Sequence, residues 1–188
     1  MNKITAILFV GMLALGGLQN LTAQNKGWIK HRSVEGTFAI EAPGPLSHKT
    51  IATETALGPV EYEIFFFQPE VEEDQKQGIF LYQLSYCDYP PQAVHADSTA
   101  LLEDFFTQTM QAAAESVNGE LMYGSMETAY DHPGYTWRID YLNGKAVIRT
   151  RSLLLGNRFY SWQVVCSKDY SLSNDITRFL DSFRLLGE

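Results

Sequence analysis

Reactive and cross-linking residues are scarce in this chain. Its 188 residues hold two cysteines and four histidines. His31, His48, His95 and His132 are scattered, with no H-x-x-x-H or H-E-x-x-H spacing, so no zinc-binding pattern is present. Cationic residues are also few, 14 Lys and Arg against 22 Asp and Glu, for a net charge of −8. That balance argues against nucleic acid and anionic lipid surfaces, both of which select Lys and Arg. The only long apolar run, Ile4 to Leu18, is interrupted by Gly11, Gly16 and Gly17 and ends at Gln19-Asn20. A membrane-spanning helix needs about twenty apolar residues, so a permanent anchor is not expected.

What that run does fit is an export signal. Lys3 supplies one positive charge, the apolar stretch follows, and Leu21-Thr22-Ala23 places a small residue before a cut. The expectation is a leader over residues 1–23, cleavage after Ala23, and a periplasmic or extracellular protein over residues 24–188. No cysteine lies near the cut to be acylated. Removing Lys3 takes the net charge to −9. The remaining 165 residues suit one domain with a core of its own, independent of a metal or disulfide.

Cys87 and Cys166 each lie in an apolar, strand-like run. An oxidising compartment permits a bridge between them, closing a long loop and stabilising by about 4 kcal/mol. The alternative is two buried thiols packing as small hydrophobes. Both outcomes are open at this level.

The periodicities predict strands at Trp28–Arg32, Thr37–Ala42, His48–Thr55 (polar, an edge candidate), Val60–Gln68 and Ile79–Cys87. One long helix is expected from about Ser98 to Val117, capped by Asp97 or Ser98 and stopped by Asn118-Gly119. Another strand runs from Leu121 to about Tyr130. Asn143-Gly144 then signals a hairpin that pairs Arg138 with Arg149, Ile139 with Ile148 and Tyr141 with Ala146. At Gly156-Asn157 an odd-numbered loop such as Gly156-Asn157-Arg158 is preferred, because it keeps Trp162 and Val164 beside Ile148 and Thr150, unless a helix covers both faces of the sheet. A last helix from about Ser173 carries Ile176, Phe179, Leu180, Phe183 and Leu186 as its buried stripe. The fold class is α+β: a central antiparallel sheet with one long helix and a C-terminal helix packed on it.

This element order, the opening Phe38-Ala39-Ile40-Glu41-Ala42-Pro43 and the closing Phe179-Leu180-Asp181-Ser182-Phe183 resemble the PsbP-like fold family. The resemblance covers roughly Trp28 to Leu186. It implies a sheet covered by helices on both faces, an α/β/α sandwich, and a non-enzymatic accessory or binding role. It carries over no site residue.

Candidate chemistry is thin. Asp131-His132 precedes Pro133-Gly134, where turn chemistry accounts for it, and Ser125 lacks the second glycine of a G-x-S-x-G elbow. Glu70, Glu72, Glu73 and Asp74 lack the alternating pattern of a calcium loop. No cofactor is implied and no catalytic residue is assigned. The least ordinary cluster is Arg138, Arg149 and Arg151, which the hairpin register puts on one strand face. Guanidinium groups so placed could grip an anionic ligand bidentately. Strand-end aromatics such as Trp28, Tyr86, Tyr89, Tyr130 and Tyr135 suit partner contact or core rim. The leading expectation is therefore an exported, non-catalytic domain that binds a protein partner or assists an envelope assembly. A small-molecule or lipid carrier, with its pocket between the long helix and the sheet, is the alternative, and an unrecognised hydrolase comes last.

Overall fold

Two sheets and two helices account for the chain in a computed structural model that describes residues 27–55, 57–70, 78–94, 99–129 and 131–187. The expected leader, its cleavage point and most of the acidic run at Glu70 to Asp74 lie outside the described residues, as do His95, the helix-capping Asp97 and Ser98, and Tyr130.

The larger sheet is antiparallel throughout, in the order β3 (Ser47–Thr55), β4 (Gly58–Phe67), β5 (Ile79–Asp88), β9 (Arg158–Ser167), β8 (Ala146–Leu155), β7 (His132–Tyr141), β6 (Glu120–Ala129). Helix α1 (Thr99–Ser116) carries the chain from β5 in the middle to β6 at the far edge. The strands β6 to β9 then return as a meander, so β9 closes the sheet against β5. Gly119 N–H bonds to Ala114 O at 2.8 Å while Asn118 takes φ +48°, which satisfies the orphan carbonyls at the end of α1.

One face of this sheet lies under α1. Phe105 and Phe106 pack against Phe159 and Tyr135, with Trp137, Ile139 and Ile148 beyond them. The other face is covered by α2 (Asn174–Asp181) and a three-stranded sheet of β1 (Ile29–Ser33), β2 (Phe38–Ala42) and β10 (Arg184–Leu185). Phe183, between α2 and β10, stacks on Trp162 with ring centroids 4.2 Å apart, and Tyr160 Oη donates to Gly36 O at 3.0 Å. The α+β expectation thus holds in coarse form, but strands form much of the layer on the second face. The C-terminal stripe also departs from expectation. The helix stops at Asp181, and Leu185, on β10, is buried where the helical pattern favoured Leu186.

The Asn143-Gly144 hairpin has the expected register, with Leu142, Asn143 and Gly144 all at positive φ. The following turn corrects the odd-loop expectation: Leu155 pairs with Arg158 and Thr150 with Gln163, a two-residue loop. Trp162 and Val164 therefore share a face with Arg149 and Arg151. The odd loop was needed only if that face met water. Because both faces are covered, apolar residues on the arginine side are buried too, and every residue from Phe159 to Cys166 is buried.

Candidate functional sites

The register brings the three predicted arginines together, and each is engaged inside the protein. Arg138 stands opposite Arg149, with Arg151 two residues along β8. Arg138 donates through Nε and Nη2 to the two carboxylate oxygens of Asp140, at 2.6 and 3.1 Å. That guanidinium, helped by Lys168 Nζ at 3.7 Å, holds the Asp140 carboxyl below the usual range against the opposing effect of burial. Arg149 donates to Ser171 O at 3.3 Å. Arg151 donates to Leu180 O at 3.3 Å and to Asp181 Oδ1 at 2.5 Å, with Glu127 3.6 Å away. Arg149 and Arg151 thus donate to carbonyls and a carboxylate of the C-terminal segment, while Arg138 pairs with Asp140 on its own strand. On this geometry Arg149 and Arg151 form a docking strip for α2 and for the end of the 3-10 turn before it (Lys168–Tyr170).

A disulfide between Cys87 and Cys166 is contradicted: both are buried free thiols. Cys87 belongs to the core under α1, and Cys166 to the core under α2. Along the β5–β9 ladder Cys87 sits opposite Phe159 and Cys166 opposite Ile79, at opposite ends. Seven residues of β9 correspond to about 23 Å, beyond any bridge. Burial pushes the Cys87 thiol up to about 12 and that of Cys166 up to about 11. Beside Cys87, Tyr62 and Tyr89 place their hydroxyls 3.4 Å apart, and burial raises both phenols strongly.

A feature unforeseen from the sequence lies at the β4–β5–β9 end of the α2-side face. Glu61 and Glu63 on β4, Tyr86 and Asp88 on β5, Arg158 opening β9, and Glu35 in the β1–β2 turn line an open pocket of about 190 Å³. The ladder builds it: Glu63 stands opposite Tyr86, and Asp88 opposite Arg158. Arg158 grips Asp88 through Nε and Nη2 at 2.6 and 2.7 Å and donates through Nη1 to Glu35 O at 2.9 Å. Its guanidinium lies over the Tyr86 ring, 4.9 Å from the centroid. Glu63 bonds His48 and accepts from Thr50 Oγ1 at 3.2 Å. Burial raises the Tyr86 phenol, and Glu63, Glu35 and Asp88 add to the rise while Arg158 opposes it. The signal available in sequence was the alternation Val60-Glu61-Tyr62-Glu63-Ile64, which sends both glutamates to one strand face.

Strand β6 forms one edge of the larger sheet. It exposes Met122, Tyr123 and Met126 at 50%, 45% and 57%. A bulge lies between Leu121 and Tyr123, and the ladder with β7 is regular from Tyr123 to Ala129.

No protein-family model matches the chain, and no curated protein matches it. Among solved structures, the fold resembles that of cyanobacterial PsbP from Synechocystis, with 10% identity, a TM-score of 0.49, and coverage of 93% of this chain and 98% of that one. A Pseudomonas aeruginosa protein of unknown function is 9% identical at a TM-score of 0.39, over 76% of this chain and 85% of its own. The resemblance to PsbP expected from element order is thus present at the level of fold, and at this identity it says nothing of function.

Proposed function

We propose that this chain is an exported, non-catalytic domain that binds a protein partner by strand addition at the free edge β6. The observation that carries this reading is the exposure of Met122, Tyr123 and Met126 on a ten-residue edge strand. An open edge offers a row of unpaired backbone N–H and C=O groups, which a partner's extended segment can complete. Soluble proteins usually blunt such edges with Lys, Pro or shortness. The opposite edge, β3, fits that habit, with His48, Lys49 and Glu54 along a strand that exposes no large apolar side chain. β6 has no Lys, Arg or Pro between its terminal residues. Its bulge lies between Leu121 and Tyr123 and leaves the strand regular from Tyr123 to Ala129.

The space between α1 and the sheet, where a carrier would hold its ligand, is occupied by packed aromatic rings, one pair stacked and one edge-to-face. Phe106 and Tyr135 lie 4.4 Å apart there, and Phe105 and Phe159 5.3 Å apart. That packing favours the protein-binding reading over the carrier.

The test is a photo-crosslinking residue placed at Met126, and in parallel at Thr53 on β3, in the full chain expressed in its own cells. The expected outcome is a discrete adduct from position 126, in the exported fraction and on chains beginning at Gln24, and none from position 53. Identical patterns from the two edges, or an uncleaved chain that stays inside the cell, refute the reading.

A further inference from the structure

The core under α1 contains a polar band where packing alone favours apolar residues. Two neighbouring rows of the ladder build it. Gln83, Gln163 and Thr150 stand opposite one another on β5, β9 and β8, and Trp137 on β7 ends that row. Ser85, Ser161 and Ser152 form the next row, ended by Tyr135. Alternation fixes the face: Phe159 and Val165, on either side of Ser161 and Gln163, belong to the core under α1. All six polar residues of the band are buried, and none carries a charge. Part of the band is satisfied from within. Thr150 Oγ1 donates to Gln163 Oε1 at 3.4 Å, Ser152 Oγ to Tyr135 O at 3.1 Å, and Ser85 Oγ to Ser161 O at 3.5 Å. Three enclosed atoms are left over: Trp137 Nε1, Gln163 Nε2 and Ser161 Oγ meet no hydrogen-bonding group of the protein. Those residues are 0%, 1% and 2% exposed. Trp162 is the contrast, a buried tryptophan whose indole donates to Leu180 O at 2.8 Å. A buried donor without an acceptor is destabilising, and native cores hold few of them. Three within two rows of one sheet face point to a guest that completes them.

We propose that the polar band under α1 is a binding site for a small neutral carbonyl or hydroxyl compound, held by Trp137 Nε1, Gln163 Nε2 and Ser161 Oγ. The indole and amide nitrogens only donate, so the guest supplies oxygen acceptors, while the serine hydroxyl donates or accepts as the guest requires. Neutrality follows from the surroundings. An ionised carboxylate in the band would be buried without a counter-charge, at a cost far above that of a neutral carbonyl. Size follows from the rings at the border. Tyr135 ends the second row and Phe159 lies two residues along β9 from Ser161, so the guest is limited to a few heavy atoms. The band is enclosed, and entry goes through a local opening of the α1 layer. The site lies on β5, β9, β8 and β7, away from the free edge β6, and the inference stands independently of the strand-addition reading.

Nuclear magnetic resonance of the isotope-labelled protein tests this at the indole N–H of Trp137. The chain has three tryptophans, and Trp137→Phe identifies the signal by its loss. N-methylacetamide is the carbonyl probe, ethylene glycol the hydroxyl probe and acetate the charged control. Expected is a saturable shift of that signal with at least one neutral probe below about 50 mM, and none with acetate. A response to N-methylacetamide alone assigns a carbonyl guest, and a response to ethylene glycol alone a hydroxyl guest. A response to both assigns the shared oxygen acceptor. Gln163→Met, which removes the amide at nearly constant volume, should weaken binding about tenfold, and Ser161→Ala about threefold. Ser85→Ala is the control: its hydroxyl already has a carbonyl partner, so affinity should change less than about twofold. Gln163→Met also removes an unpaired donor, so the free variant should unfold at a higher temperature than the parent. Far-ultraviolet circular dichroism checks that each variant is folded. Absence of a saturable shift with both neutral probes leaves the three atoms to solvent alone and overturns the proposal. So does acetate binding as tightly as the neutral probes, or equal affinity in the parent, Gln163→Met and Ser161→Ala.

Discussion

Arg151→Met separates a docking role for the arginine face from a ligand-binding one. In the structure Arg151 ties β8 to the end of α2 through Leu180 O and Asp181. Both partners in the ion pair reach solvent, with Arg151 33% and Asp181 52% exposed, so that pair is worth about 0.5 kcal/mol. A cation at a helix C-terminus adds about 0.5–1 kcal/mol. No orphan acceptor follows from the substitution, because Trp162 Nε1 still donates to Leu180 O at 2.8 Å. Methionine keeps most of the aliphatic stem, so packing loss is small. The expected cost is about 1–1.5 kcal/mol, or a fall in Tm of about 4 °C for a chain of this size. Urea and thermal unfolding measure it. Arg149→Met is the control: its one bond to Ser171 O, at 3.3 Å, predicts a smaller loss. A double-mutant cycle with Asp181→Asn should return a coupling of about 0.5 kcal/mol. Unchanged stability in Arg151→Met, or a larger loss in Arg149→Met, would refute the reasoning.

Two further outcomes follow from the interior. Cys87 and Cys166 should resist thiol reagents in the native protein and react only on unfolding, and a reductant should leave Tm unchanged. A mass spectrum of the native protein two hydrogens short of the reduced value would contradict their placement on opposite faces. Asp140 contributes to stability with a definite sign. Its folded pKa lies below the ordinary value of 3.8, so its contribution is full well above pH 3.8 and is lost as pH falls from there through the depressed folded value. Asp140→Asn should therefore flatten the acid limb of the stability curve measured by urea unfolding, and an unaltered limb would count against the Arg138–Asp140 pair as its source.

Local periodicity carried most of the strand assignments. The Asn143-Gly144 register placed Arg138 opposite Arg149 because one turn sets the pairing of the whole hairpin. The following turn was misread for a physical reason. Alternation reports which face is dry only when the other is wet, and β8 and β9 are dry on both sides. The cysteines were ambiguous for a related reason: each sits in an apolar run, and which core it joins depends on the β5–β9 pairing. That pairing links residues far apart in sequence. The Tyr86 pocket needs the same long-range ladder plus a turn from the small sheet, so of its parts only the Glu61/Glu63 alternation showed locally. The functions of Arg149 and Arg151 were invisible, since their carbonyl targets belong to a segment whose docking no spacing encodes.

The β5–β9 seam also sets the order in which this polypeptide can mature. Asp88 waits for Arg158, 70 residues later, before its strand gains an inner neighbour. Until then β5 has β4 as its strand neighbour on one side and a bare flank on the other. Contacts of such sequence distance slow folding, because loop entropy is lost before they form. A nascent chain cut short before β9 would be left with an open, sticky margin along β5. Delivery of the complete polypeptide is thus a condition for any native half of this molecule, and interrupted synthesis should end in aggregates or proteolysis, with no small stable fragment.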